Sequence, residues 1–209
     1  MQLTHPTTGQ WQQLDVYDLA ACPRQAGLRA DVVYSDPPWN PGNAKYWRTH
    51  ARVRQTESDD GYQAFLKAWC REVIAYHPAS VLVEQSANWG HASMLLAAAE
   101  DSPGWRWPLL EHWEIQYGHP RRPNRLLHFG TRRLESDPSG MSGEAMTRAV
   151  FDGLRLTPGM VVADPCMGLG TTSRVAHAFG LHCAGTELNP KRLARTIEWL
   201  RRHGYRAAK

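Results

Sequence analysis

The segment Val161-Val162-Ala163-Asp164-Pro165-Cys166-Met167-Gly168-Leu169-Gly170-Thr171-Thr172 decides the fold. Its first four residues are an apolar run closed by an acid, which predicts a buried strand over 161–164. Residues 171–179 have helical spacing, and Gly180 stops the run, which predicts a helix. Two glycines stand in the turn between them. Glycine lets a backbone come close to a ligand, and the first turn of a helix offers unpaired N–H groups. A strand should follow over His182–Glu187, then a helix over Pro190–Arg202 with Pro190 in its first turn.

Several ligands could use such a turn. A phosphate loop needs Gly-Lys-Ser/Thr, and there is no lysine here. A dinucleotide fingerprint needs a third Gly or Ala where Ser173 stands. An S-adenosylmethionine site suits the acids better. Asp164 can pair with the ammonium of the methionine part, and Glu187 can accept from both ribose hydroxyls. A plain structural turn would leave this combination of Asp-Pro, two glycines and a downstream Glu187 without a reason.

The same alternation extends outward. Strands are expected over Ala30–Ser35, Ser80–Glu84, Trp113–Tyr117 and Leu126–Phe129. Helices are expected over Tyr62–Tyr76, His91–Glu100 and Glu144–Leu154. Residues Pro41–Glu57 and Glu135–Gly143 read as loops. Strands alternating with helices predict an α/β domain with a mostly parallel twisted sheet. With 209 residues the chain suits one domain spanning 1–209.

Composition narrows the setting. The net charge is +4 and the pI about 9.0, a mild lean toward a polyanionic partner. Nine tryptophans can serve a core or stack on bases. The four cysteines, Cys22, Cys70, Cys166 and Cys183, form no CxxC pair, which argues against a disulfide framework or a zinc knuckle. His177, His182 and Cys183 lack a further ligand at a recognisable spacing, so no metal is expected. The first residues carry no signal pattern and no run is long enough for a membrane span, so a cytoplasmic protein is expected.

A second turn carries the chemistry. The 30–35 strand runs into Asp36-Pro37-Pro38-Trp39, and the two prolines end it. The exocyclic amine of a base is a poor nucleophile because its lone pair is delocalised into the ring. Acceptors placed tetrahedrally around its protons draw that pair out. Asp36 and the Pro37 carbonyl can be those acceptors, the prolines hold the turn with carbonyls free, and Trp39 can stack on the base. Attack on a sulfonium methyl would then gain mainly from orientation and electrostatics.

Together these residues resemble the DNA amino-methyltransferases, which make N6-methyladenine and N4-methylcytosine. Asp36-Pro37-Pro38-Trp39 is similar to the family's catalytic motif. Asp164-Pro165-Cys166-Met167-Gly168-Leu169-Gly170-Thr171-Thr172 and Gly185-Thr186-Glu187-Leu188 are similar to its cofactor motifs. The catalytic motif stands first and the cofactor motif last, which looks like the circularly permuted β group. The resemblance implies a Rossmann-like methyltransferase domain with a catalytic half over about 14–130 and a cofactor half over about 142–205. It implies S-adenosyl-L-methionine as cofactor, bound by Asp18, Asp164, Pro165, Gly168, Gly170, Thr171, Glu187 and Leu188. It implies DNA as partner and adenine N6 as target, since Asp in this turn goes mostly with adenine. Cytosine N4, adenine in RNA, and an inactive nucleic-acid-binding module on the same fold are the alternatives.

The chain departs from the family in places. Cys166 stands where Phe is usual, Ser142-Gly143 where Lys-Pro is frequent, and Trp39 where Tyr is commoner. Little chain is left for a target-recognition domain, so a second copy or a specificity partner is expected to supply surface. Lys45, Arg48, Arg52 and Arg54 follow the catalytic turn and are expected to hold phosphates, as are Arg121 and Arg122.

Overall fold

The computed structural model describes residues 1–19, 27–52, 59–117 and 119–208, with the side chains of 59, 60, 117 and 119–122 outside the description. In chain order the elements are β1 (Gln2–Thr4), β2 (Trp11–Val16), β3 (Val32–Ser35), α1 (Pro41–Ala51) and α2 (Asp59–Tyr76). There follow β4 (Ser80–Ser86), α3 (Trp89–Glu100), β5 (Leu109–Tyr117), β6 (His119–Gly130) and α4 (Gly143–Gly153). The last are β7 (Val161–Asp164), α5 (Thr171–Ala178), β8 (His182–Glu187), α6 (Pro190–Arg202) and β9 (Arg206–Ala207).

All strands join one sheet in the order β5-β6-β4-β3-β7-β8-β2-β1-β9. The central run β4-β3-β7-β8-β2 is parallel. Both flanks are antiparallel, β6 and β5 on one side and β1 and β9 on the other. The sheet is therefore mixed, with the parallel part confined to its middle. The reason lies in the connections: crossover helices link the central strands, whereas β5 and β6 form a hairpin.

The central strands are apolar without alternation because both faces are covered. Val33, Val81 and Val83 face α2 and α3, where Trp69 and Leu95 are fully buried. Val32, Tyr34, Leu82 and Val162 face α4 and α5, with Phe151 and Val175. A third cluster, with Leu14, Leu193 and Leu200, seats α6 against β2. No helix among the described residues is long and apolar enough to cross a membrane.

The stretch expected as a loop over 41–57 is a helix over Pro41–Ala51. Its start is chemically clear: the Asn40 side chain accepts from the Asn43 N–H at 2.8 Å and Pro41 occupies the first turn. The same Asn-Pro pair opens α6, where Asn189 accepts from the Lys191 N–H at 2.9 Å. The helix α1 buries none of its residues, so it lacks the apolar stripe that marks α2.

The strand order positions the site. β3 and β7 are neighbours, but the chain leaves β3 toward β4 on one side and leaves β7 toward β8 on the other. Loops after such a pair diverge and open a crevice at the carboxyl ends of the strands. Asp36 follows β3 directly and Asp164 ends β7, so the two motifs of the sequence meet at that crevice.

Candidate active site

A cavity of about 520 Å³ opens there, lined by both turns together with Asp18, Glu84, Glu187 and Arg192. Its size is in the range of small-ligand and cofactor sites.

The cofactor side is built from local chain. Asp164 is buried; its Oδ2 accepts from the Thr172 hydroxyl at 2.6 Å and its Oδ1 from the Cys166 N–H at 3.0 Å. Burial pushes its carboxyl up to about 7, against the lowering effect of those two bonds, with Asp36 and Glu187 adding to the rise. Gly168 and Gly170 have φ of +58° and +76°, the left-handed region that side chains disfavour. A Cβ on Gly170 would also meet the Thr196 side chain at 2.5 Å. Both glycines are thus required by the turn. The Pro165 carbonyl accepts from the Thr186 hydroxyl at 2.6 Å, which ties this turn to β8. Glu187 ends β8 with Oε1 accepting from the Asn189 N–H at 2.8 Å, and burial raises its carboxyl. Thr171 and Leu188 complete this wall.

The Asp36 side depends on residues far apart in sequence. The Trp39 indole donates to Asp36 Oδ1 at 2.8 Å. The Tyr62 hydroxyl, from α2, donates to the Pro38 carbonyl at 2.8 Å. Pro37 and Pro38 line the cavity beside them. The register pairs Ser35 with Val83, so Asp36 and Glu84 are the next residues on adjacent parallel strands. Glu84 is buried, lines the cavity and accepts at Oε1 from the Tyr34 hydroxyl at 2.9 Å. Burial raises its carboxyl well above the usual range, with Asp36 and then Asp164 adding to the effect.

Glu84, Tyr34 and Tyr62 are functional candidates that sequence reasoning missed. Tyr62 lies on the apolar face of a helix and Glu84 lies within a buried strand, so neither carries a local signal. Only the pairing of β3 with β4 and the packing of α2 bring them to the turn.

Of the expected phosphate contacts, Lys45 and Arg48 line the cavity. Arg48 Nη1 donates to Asp18 Oδ1 at 2.9 Å, with both side chains partly buried. The Arg192 guanidinium lies over Trp47 at 4.3 Å from the ring centroid, and Asn189 Nδ2 donates to the His50 carbonyl at 3.4 Å. Helix α1 is therefore clasped across the cofactor side, and Arg48 turns inward to Asp18. Arg52 is exposed at the end of α1. Arg54 lies outside the described residues, as does Cys22, and so do the side chains of Arg121 and Arg122.

The donor set fits a cationic nucleoside. Asp36, Glu84, Asp164 and Glu187 crowd one cavity, and burial raises three of these acids. A ligand bearing an ammonium and a sulfonium would relieve that crowding. S-adenosylmethionine carries both, and a ribose diol for Glu187.

The architecture, a sheet between helices with a crevice at the carboxyl ends of its strands, is shared with solved methyltransferases. It matches M1.HpyAVI in complex with S-adenosylmethionine at a TM-score of 0.61, with 15% identity over 90% of this chain and 99% of that one. It matches TTHA0409 from Thermus thermophilus, assigned as a DNA modification methylase, at a TM-score of 0.62, with 18% identity over 92% of this chain and 96% of that one. It matches the cytosine-N4-specific PvuII DNA methyltransferase at a TM-score of 0.63, with 14% identity over 89% of this chain and 85% of that one. No protein-family model matches the sequence, and no curated protein matches it significantly.

Proposed function

We propose that this chain transfers the methyl group of S-adenosylmethionine to the exocyclic amine of a base in DNA, with adenine N6 as the target. The observation that carries the reading is the meeting of the Asp36 and Asp164 turns in one acid-rich cavity at the divergence of β3 and β7. Two solved structures of the same fold, M1.HpyAVI and TTHA0409, are complexes with S-adenosylmethionine. The choice of adenine rests on Asp36 and on the resemblance of the turn. PvuII methyltransferase, of the same fold, is cytosine-N4-specific.

S-adenosylmethionine, when bound, supplies an electrophilic methyl on a positively charged sulfur. Asp164 receives its ammonium and Glu187 its ribose hydroxyls, while Asp18, Pro165, Gly168, Gly170, Thr171 and Leu188 shape the pocket around it. A base reaches the catalytic turn only after leaving its stack. Asp36 accepts one amino proton and the Pro37 carbonyl the other. Trp39 fixes Asp36 through the indole N–H, and Tyr62 fixes the turn through Pro38. The amine, its lone pair freed and oriented by these acceptors, would take up the methyl group as nucleophile. The extra proton on nitrogen then passes to Asp36.

The chain is read as one domain over 1–209, permuted so that the catalytic half precedes the cofactor half. A cytoplasmic setting and a second copy or specificity partner belong to the same proposal. The test is transfer of a tritiated methyl to DNA and RNA, with nucleoside analysis of the product. N6-methyldeoxyadenosine is the expected product. N4-methylcytosine alone would overturn the choice of base, and label confined to RNA would overturn the choice of DNA. No transfer, with cofactor bound, would favour an inactive binding module.

A further inference from the structure

Outside the cavity, at the same carboxyl edge of the sheet, an aromatic and cationic cluster stands where β4 ends. Trp89 is the first residue of α3 and is 40% exposed. The Arg125 guanidinium carbon lies 4.2 Å from its ring centroid. His112 meets the same ring edge-on, with centroids 5.0 Å apart. Arg125 is anchored by its Nε, which donates to the Ala87 carbonyl at 3.2 Å. Its terminal nitrogens have no acceptor among the described residues; Glu114, across from it on β5, forms no ion pair with it there. The first turn of α3 carries no acid.

The indole packs under Arg125 and against His112 yet leaves 40% of its surface open. A guanidinium fixed through one nitrogen keeps its other donors for something else. A half-exposed indole beside an oriented cation is what an unpaired nucleotide needs: a π face for the base and a fork for the phosphate.

We propose that Trp89 and Arg125 bind a nucleotide of the strand that carries the target base, with its base stacked on Trp89 and its phosphate on Arg125. The inference rests on the reading of the cavity as a DNA methyltransferase site. The sheet sets the geometry. Asp36 follows β3, Trp89 follows β4, and Arg125 is on β6, the next strand across. The platform is thus roughly 10 Å from the catalytic turn at about 4.8 Å per strand spacing. Beyond Ser86, which pairs with Asn124, β6 continues through residues 119–123 past the end of β4. The paired hairpin runs two steps further, Gln116 with Pro123 and Tyr117 with His119, an overhang of roughly 7 Å at about 3.3 Å per residue. Because stacking needs an open base face, single-stranded or locally melted DNA is the preferred form.

The test compares the wild type with Trp89→Ala, Trp89→Phe and Arg125→Met on a single-stranded 12-mer and its duplex, by fluorescence anisotropy over a salt series. Cofactor affinity by calorimetry reports that each variant is folded. Trp89→Ala should weaken single-strand binding about tenfold with an unchanged salt slope, and Trp89→Phe should recover most of it. Arg125→Met should lower the salt slope by about 0.7, one phosphate on a single strand. In turnover, KM for DNA should rise in both while kcat holds. Wild-type binding that neither Trp89→Ala nor Arg125→Met alters would overturn the platform and leave the methyltransferase reading standing. A salt effect from Arg125 without any loss in Trp89→Ala would overturn the stacked nucleotide. A wild type that binds no DNA would overturn both.

Discussion

The two turns that meet in the cavity are built differently. The Asp164 turn is held mainly by its own segment: Thr172 and Cys166 bind Asp164, and two glycines in left-handed geometry shape the bend. The Asp36 turn has a local bond from Trp39 and a brace from α2, through Tyr62. Beneath it, Glu84 of β4 holds Tyr34 of β3. A cofactor turn can be self-contained because it must present one fixed shape. A catalytic turn at the end of a strand needs outside braces, since two prolines leave it few N–H donors of its own.

The comparison breaks most sharply at the two acids. Asp36→Ala should lower kcat by roughly a hundred- to a thousandfold, as for loss of a group that acts on transition-state charge, with cofactor affinity unchanged. Asp164→Ala should instead abolish measurable cofactor binding in calorimetry. If both variants lose cofactor, the two turns do not have separate tasks.

Next in size is the backbone of the cofactor turn. Gly170→Val places a branched side chain at φ +76°, against Thr196. Left-handed strain of about 1–3 kcal/mol is expected before the clash is counted. Melting should fall by about 5 °C or more, at about 2–4 °C per kcal/mol for a chain of this size. Unchanged melting would mean the bend is not set by its glycines.

The acid titration sharpens the cofactor side. Asp164 is raised from 3.8 to about 7, so the folded protein keeps a proton that the unfolded chain releases. Its contribution to stability is complete below about pH 4 and is lost as the pH rises through about 7. A cationic cofactor selects the ionised form, so affinity should climb up to tenfold per unit and level off above about pH 7. Calorimetry across pH 5.5–8.5 checks this, and Asp164→Asn should flatten the climb.

The smallest expected effect concerns the brace from α2. Tyr62→Phe removes one hydrogen bond to the Pro38 carbonyl, worth about 1 kcal/mol, so kcat should fall about five- to tenfold. Cofactor affinity should hold. A drop in affinity instead would put Tyr62 on the cofactor side.

Residue order alone makes the central strands β3, β4, β7 and β8 legible, because apolar runs closed by turn residues need no tertiary help to be read. It also determined the glycine turn and Asp36-Pro37-Pro38-Trp39, whose chemistry is carried by contiguous residues. It did not determine α1, since Pro41–Ala51 buries nothing and has Gly42, Asn43 and Thr49 in place of an apolar stripe. Nor did it reveal β2, where Gln12 is buried by pairing with Ser173 at 2.7 Å rather than by apolar character. Arg48 turning to Asp18, and Tyr62 and Glu84 coming beside the Asp36 turn, needed the tertiary structure to be seen. The reason is physical: those roles depend on which strand lies beside β3 and which helix covers it, and strand order leaves no mark on the spacing of residues along the chain.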